Sequence, residues 1–185
     1  MPAPSENLRP LSTGERFALL ADAVVELAPQ FGYSGQVVDF AICQAARETG
    51  LFTSDLFLRA DNAFGMRIAS QRPQPWVIGE SNAYAVYDDV AGSVADYFDR
   101  QRAFGIPNTD NADAYMDATV ASGYATAGAY KAAWMGLLNA VRASDYGTAF
   151  RLSDVPNDAP VTASAGSGGL GLLLMLVLGY KLANG

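Results

Sequence analysis

Glu48 ends the run Ala41-Ile42-Cys43-Gln44-Ala45-Ala46-Arg47-Glu48-Thr49-Gly50, an apolar segment of helical period that stops at a glycine and leaves one carboxylate at its mouth. A carboxyl kept protonated in that position can hand a proton to a leaving oxygen, which is the chemistry that breaks a glycosidic bond. Phe52, Phe64 and Trp76 are the expected apolar neighbours, and the negative end of the helix dipole also disfavours the charged form. By itself, a Glu closing a helix is more readily a solvated surface charge. Competing chemistries are few, because the chain has no histidine, which removes Ser-His-Asp and Cys-His catalysis and the commonest metal ligand. Cys43 lies inside the apolar run and reads as a buried thiol, and a single cysteine forms no internal disulfide.

A chain of 185 residues, 50% of them hydrophobic, can bury one sizeable core and leave room for an appendage. The net charge of -7, with no basic cluster along the sequence, argues against nucleic acid as a partner, because phosphate binding rests on Lys and Arg.

The elements that must position Glu48 follow from local signals. Ser12 with Glu15 forms a capping-box pattern, and Phe17, Leu20, Ala21 and Val24 keep helical spacing, predicting a helix over 13–30. Ser34 can cap a second helix in which Val37, Val38, Phe40, Ala41, Ile42 and Ala45 are apolar nearly all round, so it should be the central one, carrying Glu48 at its end. Ser54 can cap a short third helix. Trp76, Val77, Ile78, Tyr84, Val86 and Tyr87, set among Pro73, Pro75 and Gly79, suggest a hairpin whose turn holds Gly79 to Asn82. Asp88 or Asp89, then Asp110 or Asn111, then Thr126 can cap three further helices. Trp134 shares core spacing with Leu137, Leu138 and Val141 and reads as packing.

The ends of the chain differ from its middle. Residues 1–11 form an arm with no apolar run of the kind a secretory signal needs. Residues 151–167 are rich in Ser, Gly, Pro and Asp and read as a flexible linker. Beyond them, Leu170 to Leu178 form an apolar block with Tyr180 and Lys181 placed for an interface, so 168–183 is expected to be a membrane-spanning tail helix, with packing on the domain or on a partner protein as its alternative.

Four blocks in order, Gln44-Ala45-Ala46-Arg47-Glu48-Thr49-Gly50, Asn62-Ala63-Phe64-Gly65-Met66-Arg67, Tyr84-Ala85-Val86-Tyr87-Asp88 with Ser93 to Tyr97, and Gly123-Tyr124-Ala125-Thr126 with Tyr130, resemble the glucosaminidase domain of glycoside hydrolase family 73. The resemblance implies a mainly α, lysozyme-like helical domain over 12–150 with a small β-hairpin lobe. It also implies a peptidoglycan hydrolase that cuts the β-1,4 bond between N-acetylglucosamine and N-acetylmuramic acid. Under it, Glu48 is the general acid, Tyr124 the active-site tyrosine, and Glu80 the carboxylate that the β-lobe offers.

The residues around these three leave more than one part open. Glu80 is either a charged turn residue or a base that activates water or steadies an oxocarbenium ion, and the separation of the two carboxylates would choose between retention and inversion. Should Glu80 stand aside, the N-acetyl group of the substrate can attack the anomeric carbon, with Tyr124 or Asp61 steadying it. Asn62, Phe64, Trp76 and Tyr84 are candidate substrate contacts, Asn62 alternatively fixing its loop and Phe64 filling the fold, and Tyr124 is alternatively a core tyrosine with its hydroxyl satisfied. No cofactor or metal is required. The expected partners are peptidoglycan glycan strands and, through the tail, a membrane, in a bacteriophage virion among other virion proteins or in a bacterial envelope. The rival readings are a lytic transglycosylase, a muramidase and a non-catalytic structural or wall-binding module.

Overall fold

Ser12 and Glu15 open the first helix reciprocally: the Glu15 amide donates to Ser12 Oγ at 3.3 Å and the Ser12 amide donates to Glu15 Oε2 at 2.7 Å. The helix, α1, runs Thr13–Leu27 and passes into a short 3₁₀ turn, Ala28–Phe31, at Pro29. In the computed structural model, which describes residues 8–125 and 129–142, there follow α2 (Gln36–Glu48), α3 (Asp55–Ala60), strands β1 (Val77–Ser81) and β2 (Tyr84–Tyr87), α4 (Val90–Ala103), α5 (Ala112–Ala121) and α6 (Ala129–Arg142). Mainly helical with one small antiparallel sheet, the architecture is consistent with the lysozyme-like fold. The expected cap at Thr126, the linker, the tail helix and the start of the arm lie outside the described residues. Among the described residues no helix is long and apolar enough to cross a membrane.

Packing explains why α2 is central. Its residues Phe40 to Ala46 are all buried, with Phe40 against Tyr115 of α5 at 5.0 Å and Trp134 of α6 at 5.6 Å between ring centroids. Each such ring removed from water contributes roughly 1.5–3 kcal/mol. Cys43 is fully buried in the same layer, its thiol on the Trp134 carbonyl at 3.2 Å. Leu8 also enters the core at 0% exposure, so the arm is part of the domain from that residue on.

Two local expectations need correcting. Ser34 does not cap α2: the N-cap is Gly35 at φ 59°, without a side-chain bond, and the Gln36 amide is taken at 3.3 Å by Asp110 from the loop before α5. Of the two residues expected to cap α5, Asn111 does so, accepting from the Ala114 amide at 3.0 Å. The hairpin turn is Asn82-Ala83, both left-handed at φ 51° and 67°, rather than Gly79 to Asn82. A two-residue turn of this hand matches the twist of the flanking strands. That shift moves Glu80 off the turn and onto β1, paired with Ala85.

Candidate active site

The stop of α2 places Glu48. Gly50 turns left-handed at φ 55° and the Leu51 amide donates back to the Ala46 carbonyl at 2.8 Å, closing the helix as a Schellman motif. Leu51 and Phe52 then hold φ values of 62° and 65°, which cost non-glycine residues about 1–3 kcal/mol each. Burial of both side chains, together with a 2.8 Å bond from the Phe52 amide to Thr49 Oγ1, offsets that strain. Thr49 is itself anchored to the Ala45 carbonyl at 2.7 Å.

Glu48 emerges half-buried from this stop. Its Oε1 accepts from the Tyr130 hydroxyl at 2.6 Å and from Gln44 Nε2 at 3.2 Å, and Gln44 Nε2 also contacts the Tyr130 oxygen. No hydrogen bond among the described residues ends on Oε2, which lies 3.2 Å from where a Cβ on Gly65 would stand. Burial raises the proton affinity of Glu48 above the ordinary value; the Tyr130 bond, the charge of Arg47 and the Gln44 bond pull the other way without cancelling it. The Tyr130 phenol is pushed up by burial and then by the carboxylate beside it, so it stays a donor.

This carboxyl borders a cleft of about 390 Å³, lined also by the run 64–72, by Arg100 and Phe104 at the end of α4, and by Gly123 and Tyr124 after α5. Tyr124 donates its hydroxyl to the Phe64 carbonyl, sets its ring edge-on to Tyr97 at 6.1 Å, and lies 4.8 Å from the Arg100 guanidinium. Burial and the nearby Glu48 hold that phenol well above its usual range. Phe64 stacks on Tyr97 at 4.0 Å and 11°, fixing the loop from below through its side chain while its carbonyl holds Tyr124.

Glu48, Phe64 and Tyr124 thus meet at one cleft, and the other four candidates are not among the residues lining it. Glu80 is exposed on β1. Asn62 is 1% exposed; its Nδ2 donates to the Met66 and Ala85 carbonyls at 2.8 and 2.9 Å and its Oδ1 accepts from the Met66 amide at 2.9 Å, so it staples the 62–66 loop to β2. Trp76 packs edge-on to Phe31 at 5.9 Å. Tyr84 lies beneath the Arg67 guanidinium at 4.8 Å. Of the apolar neighbours expected for Glu48, Phe64 borders the cleft, whereas Phe52 is in the core against Phe17 and Phe57.

Sequence reasoning did not assign roles to Tyr130 or Gln44. Gln44 stands one turn before Glu48, the spacing at which helix side chains meet, so half of that clamp was readable. Three arginines at the cleft, Arg67, Arg72 and Arg100, come from separate segments, and no run of basic residues announces them.

Comparison with known proteins places this geometry. Residues 24–143 match the glucosaminidase family model, described as mannosyl-glycoprotein endo-beta-N-acetylglucosaminidase. Among curated proteins nothing matches the sequence. A chain in a type VI secretion system effector-immunity complex from Pseudomonas protegens is similar in fold, with a TM-score of 0.59 and 20% identity over 72% of this chain and 94% of that one. A peptidoglycan hydrolase from Sphingomonas sp. A1 has a TM-score of 0.56 and 20% identity over 70% of this chain and 90% of its own. At that identity the likenesses speak for the fold, while the family match spans most of the domain. The chain belongs to the glucosaminidase family and is a glycoside hydrolase.

Proposed function

We propose that this enzyme hydrolyses peptidoglycan at the β-1,4 bond between N-acetylglucosamine and N-acetylmuramic acid, with Glu48 as the acid that protonates the leaving oxygen. One observation carries the reading: the Glu48 carboxyl borders the cleft with Oε1 gripped by Tyr130 and Gln44 while Oε2 makes no hydrogen bond to the described residues. A proton on Oε2 would have no acceptor among the described residues and would be available to a leaving oxygen in the cleft. The family membership and the Sphingomonas hydrolase of similar fold support this choice of bond and polymer.

Glu48 is the one carboxylate among the cleft-lining residues described, which favours the substrate-assisted route over a two-carboxylate scheme. In that route the N-acetyl oxygen attacks the anomeric carbon as the bond to the leaving oxygen breaks, and Glu48 delivers its proton to that oxygen. Water then opens the resulting oxazolinium ring, giving its proton back to Glu48 as the carbon–oxygen bond forms. Tyr124, on the same cleft, is the residue we assign to steadying the N-acetyl group. The apolar block at 168–183, read from sequence, supports a membrane tether in a virion or a bacterial envelope.

The test is digestion of purified sacculi by the full chain. Soluble fragments with a reducing N-acetylglucosamine end are expected, and Glu48→Gln should lower kcat roughly 10²- to 10⁴-fold. A 1,6-anhydro-muramic end would replace this reading by a transglycosylase, and a reducing N-acetylmuramic end by a muramidase.

A further inference from the structure

The cleft is positive in a chain whose net charge is -7. Its charged lining residues are Glu48, Arg67, Arg72 and Arg100. Arg72 is neutralised, sitting on Asp96 and at 3.3 Å from Asp99. The other two have no carboxylate partner among the described residues. Arg100 is 8% exposed, gives its Nη atoms to the Gln101 side chain at 2.9 Å and to Ser122 at 2.9 and 3.1 Å, and is flanked by Phe104 at 4.5 Å and Tyr124 at 4.8 Å. A buried guanidinium with neutral partners alone keeps its hydrogen bonds but has no counter-charge to offset the loss of water.

Arg67 is exposed, yet it is held in place. Its backbone bridges to Tyr84, its carbonyl accepts from Gln74 Nε2 at 3.1 Å, and its guanidinium rests on the Tyr84 ring at 4.8 Å with Nη2 at 3.4 Å from the hydroxyl. A fixed guanidinium loses less freedom on binding an anion than a free one does. Arg72 lies on the same cleft with its side chain 8% exposed, and its Nη2 has no hydrogen-bond partner among the described residues.

We propose that this cleft contains a carboxylate-binding subsite, in which Arg67 contacts an acidic group borne by the glycan strand and Arg100 supplies the second positive charge. The inference rests on the glycan reading above. Such a strand offers a carboxylate from two sources, the acidic residues of its stem peptides or, where a stem has been removed, the freed lactyl group; a neutral N-acetylglucosamine oligomer offers neither. The subsite would make the enzyme prefer substituted wall strands to plain oligomers of the same sugar.

Calorimetric titration of the full chain carrying Glu48→Gln tests this without turnover. Three probes are used: soluble stem-bearing strands, the same strands trimmed by an amidase to free lactyl carboxylates, and N-acetylglucosamine oligomers as the reference. Adding Arg67→Gln should weaken binding of a carboxylate-bearing probe about tenfold relative to the reference, the size of a lost charge-assisted hydrogen bond. Arg67→Lys should restore most of it, and added salt should erode the same difference. Dependence that disappears on trimming assigns the stem; dependence that appears only on trimming assigns the lactyl group; dependence on both probes means that the subsite takes either carboxylate. Equal weakening of neutral and anionic probes, or none, overturns the subsite. Because the readout is binding, an inactive wild-type enzyme would defeat the hydrolase reading while leaving this result standing, and an active enzyme indifferent to Arg67 would do the reverse.

Discussion

A Cβ placed on Gly65 would stand 3.2 Å from Oε2 of Glu48, and Gly65 holds φ +61°. Backbone and acid share a space that a side chain would fill, in a conformation that other residues adopt at a cost. Gly65→Ala should therefore act twice, through about 1–2 kcal/mol of left-handed strain and through displacement of the carboxyl. A displacement near 1 Å lowers turnover about 10²-fold. Measuring kcat beside the urea midpoint separates the two, and a loss of stability with kcat unchanged would show that the contact does not position the acid.

Tyr130 and Gln44 both bond the ionised form of Glu48, and each lowers a proton affinity that burial has raised. Activity that needs protonated Glu48 should fall as pH rises through its elevated pKa, giving the alkaline limb of the profile. Removing a donor to the carboxylate raises that pKa further. Tyr130→Phe should move the alkaline limb of kcat/KM to higher pH while lowering its plateau roughly tenfold through loosened positioning. A limb that stays put or moves to lower pH would contradict the assignment of Glu48 as the titrating acid.

The same shift has a consequence for stability. Because the folded pKa of Glu48 lies above the unfolded one, the folded chain binds more protons between the two values, and stability falls as pH rises through that window. Glu48→Gln carries no charge to bury. The variant should melt above the wild type at neutral pH, with the difference shrinking as pH is lowered through the folded pKa and gone below the ordinary carboxylate range. Thermal melts at a series of pH values decide it; a constant offset would mean that packing rather than ionisation separates the two proteins.

Much of this fold could be read from the chain because its helices announce themselves locally. Ser12 with Glu15, Ser54, Asp89 and Asn111 each cap the helix that follows them, a relationship confined to four residues. What escaped depends on residues far apart in sequence. Asp110 caps α2 from a position 74 residues away, and nothing in Ser34-Gly35 points there. The Asn82-Ala83 turn places an alanine at φ 67°, against the local preference that favoured a turn containing Gly79. The clamp on Glu48 joins Tyr130 across 82 residues, and the positive cleft gathers arginines that look isolated when written in a line.

Asp96 ties the β-lobe to α4. Its carboxylate takes Arg72 Nη1 on one oxygen, and the Gln74 amide at 2.9 Å and the Tyr87 hydroxyl at 2.6 Å on the other, with Asp96 fully buried. Removing one member of a buried ion pair strands the rest, and the expected cost for Asp96→Ala is about 3–5 kcal/mol. Urea denaturation measures it. A cost under about 1 kcal/mol would mean that Asp99 alone can satisfy Arg72 and that the lobe is held by other contacts.

Glu80 separates the two routes to cleavage. A base or nucleophile must reach the anomeric carbon or the attacking water, whereas Glu80 is exposed on β1 and absent from the residues lining the cleft. Under the substrate-assisted route, Glu80→Gln should keep kcat within about tenfold of the wild type, well short of the roughly 10²- to 10⁴-fold loss that removing a catalytic proton carrier brings. Strands whose N-acetyl groups have been removed should instead be cleaved poorly by the wild type, because the attacking oxygen has gone with the acetyl group. Glu80→Gln as damaging as Glu48→Gln, together with ready cleavage of deacetylated strands, would return the second carboxylate to the mechanism and require the β-lobe to close over the cleft when substrate binds.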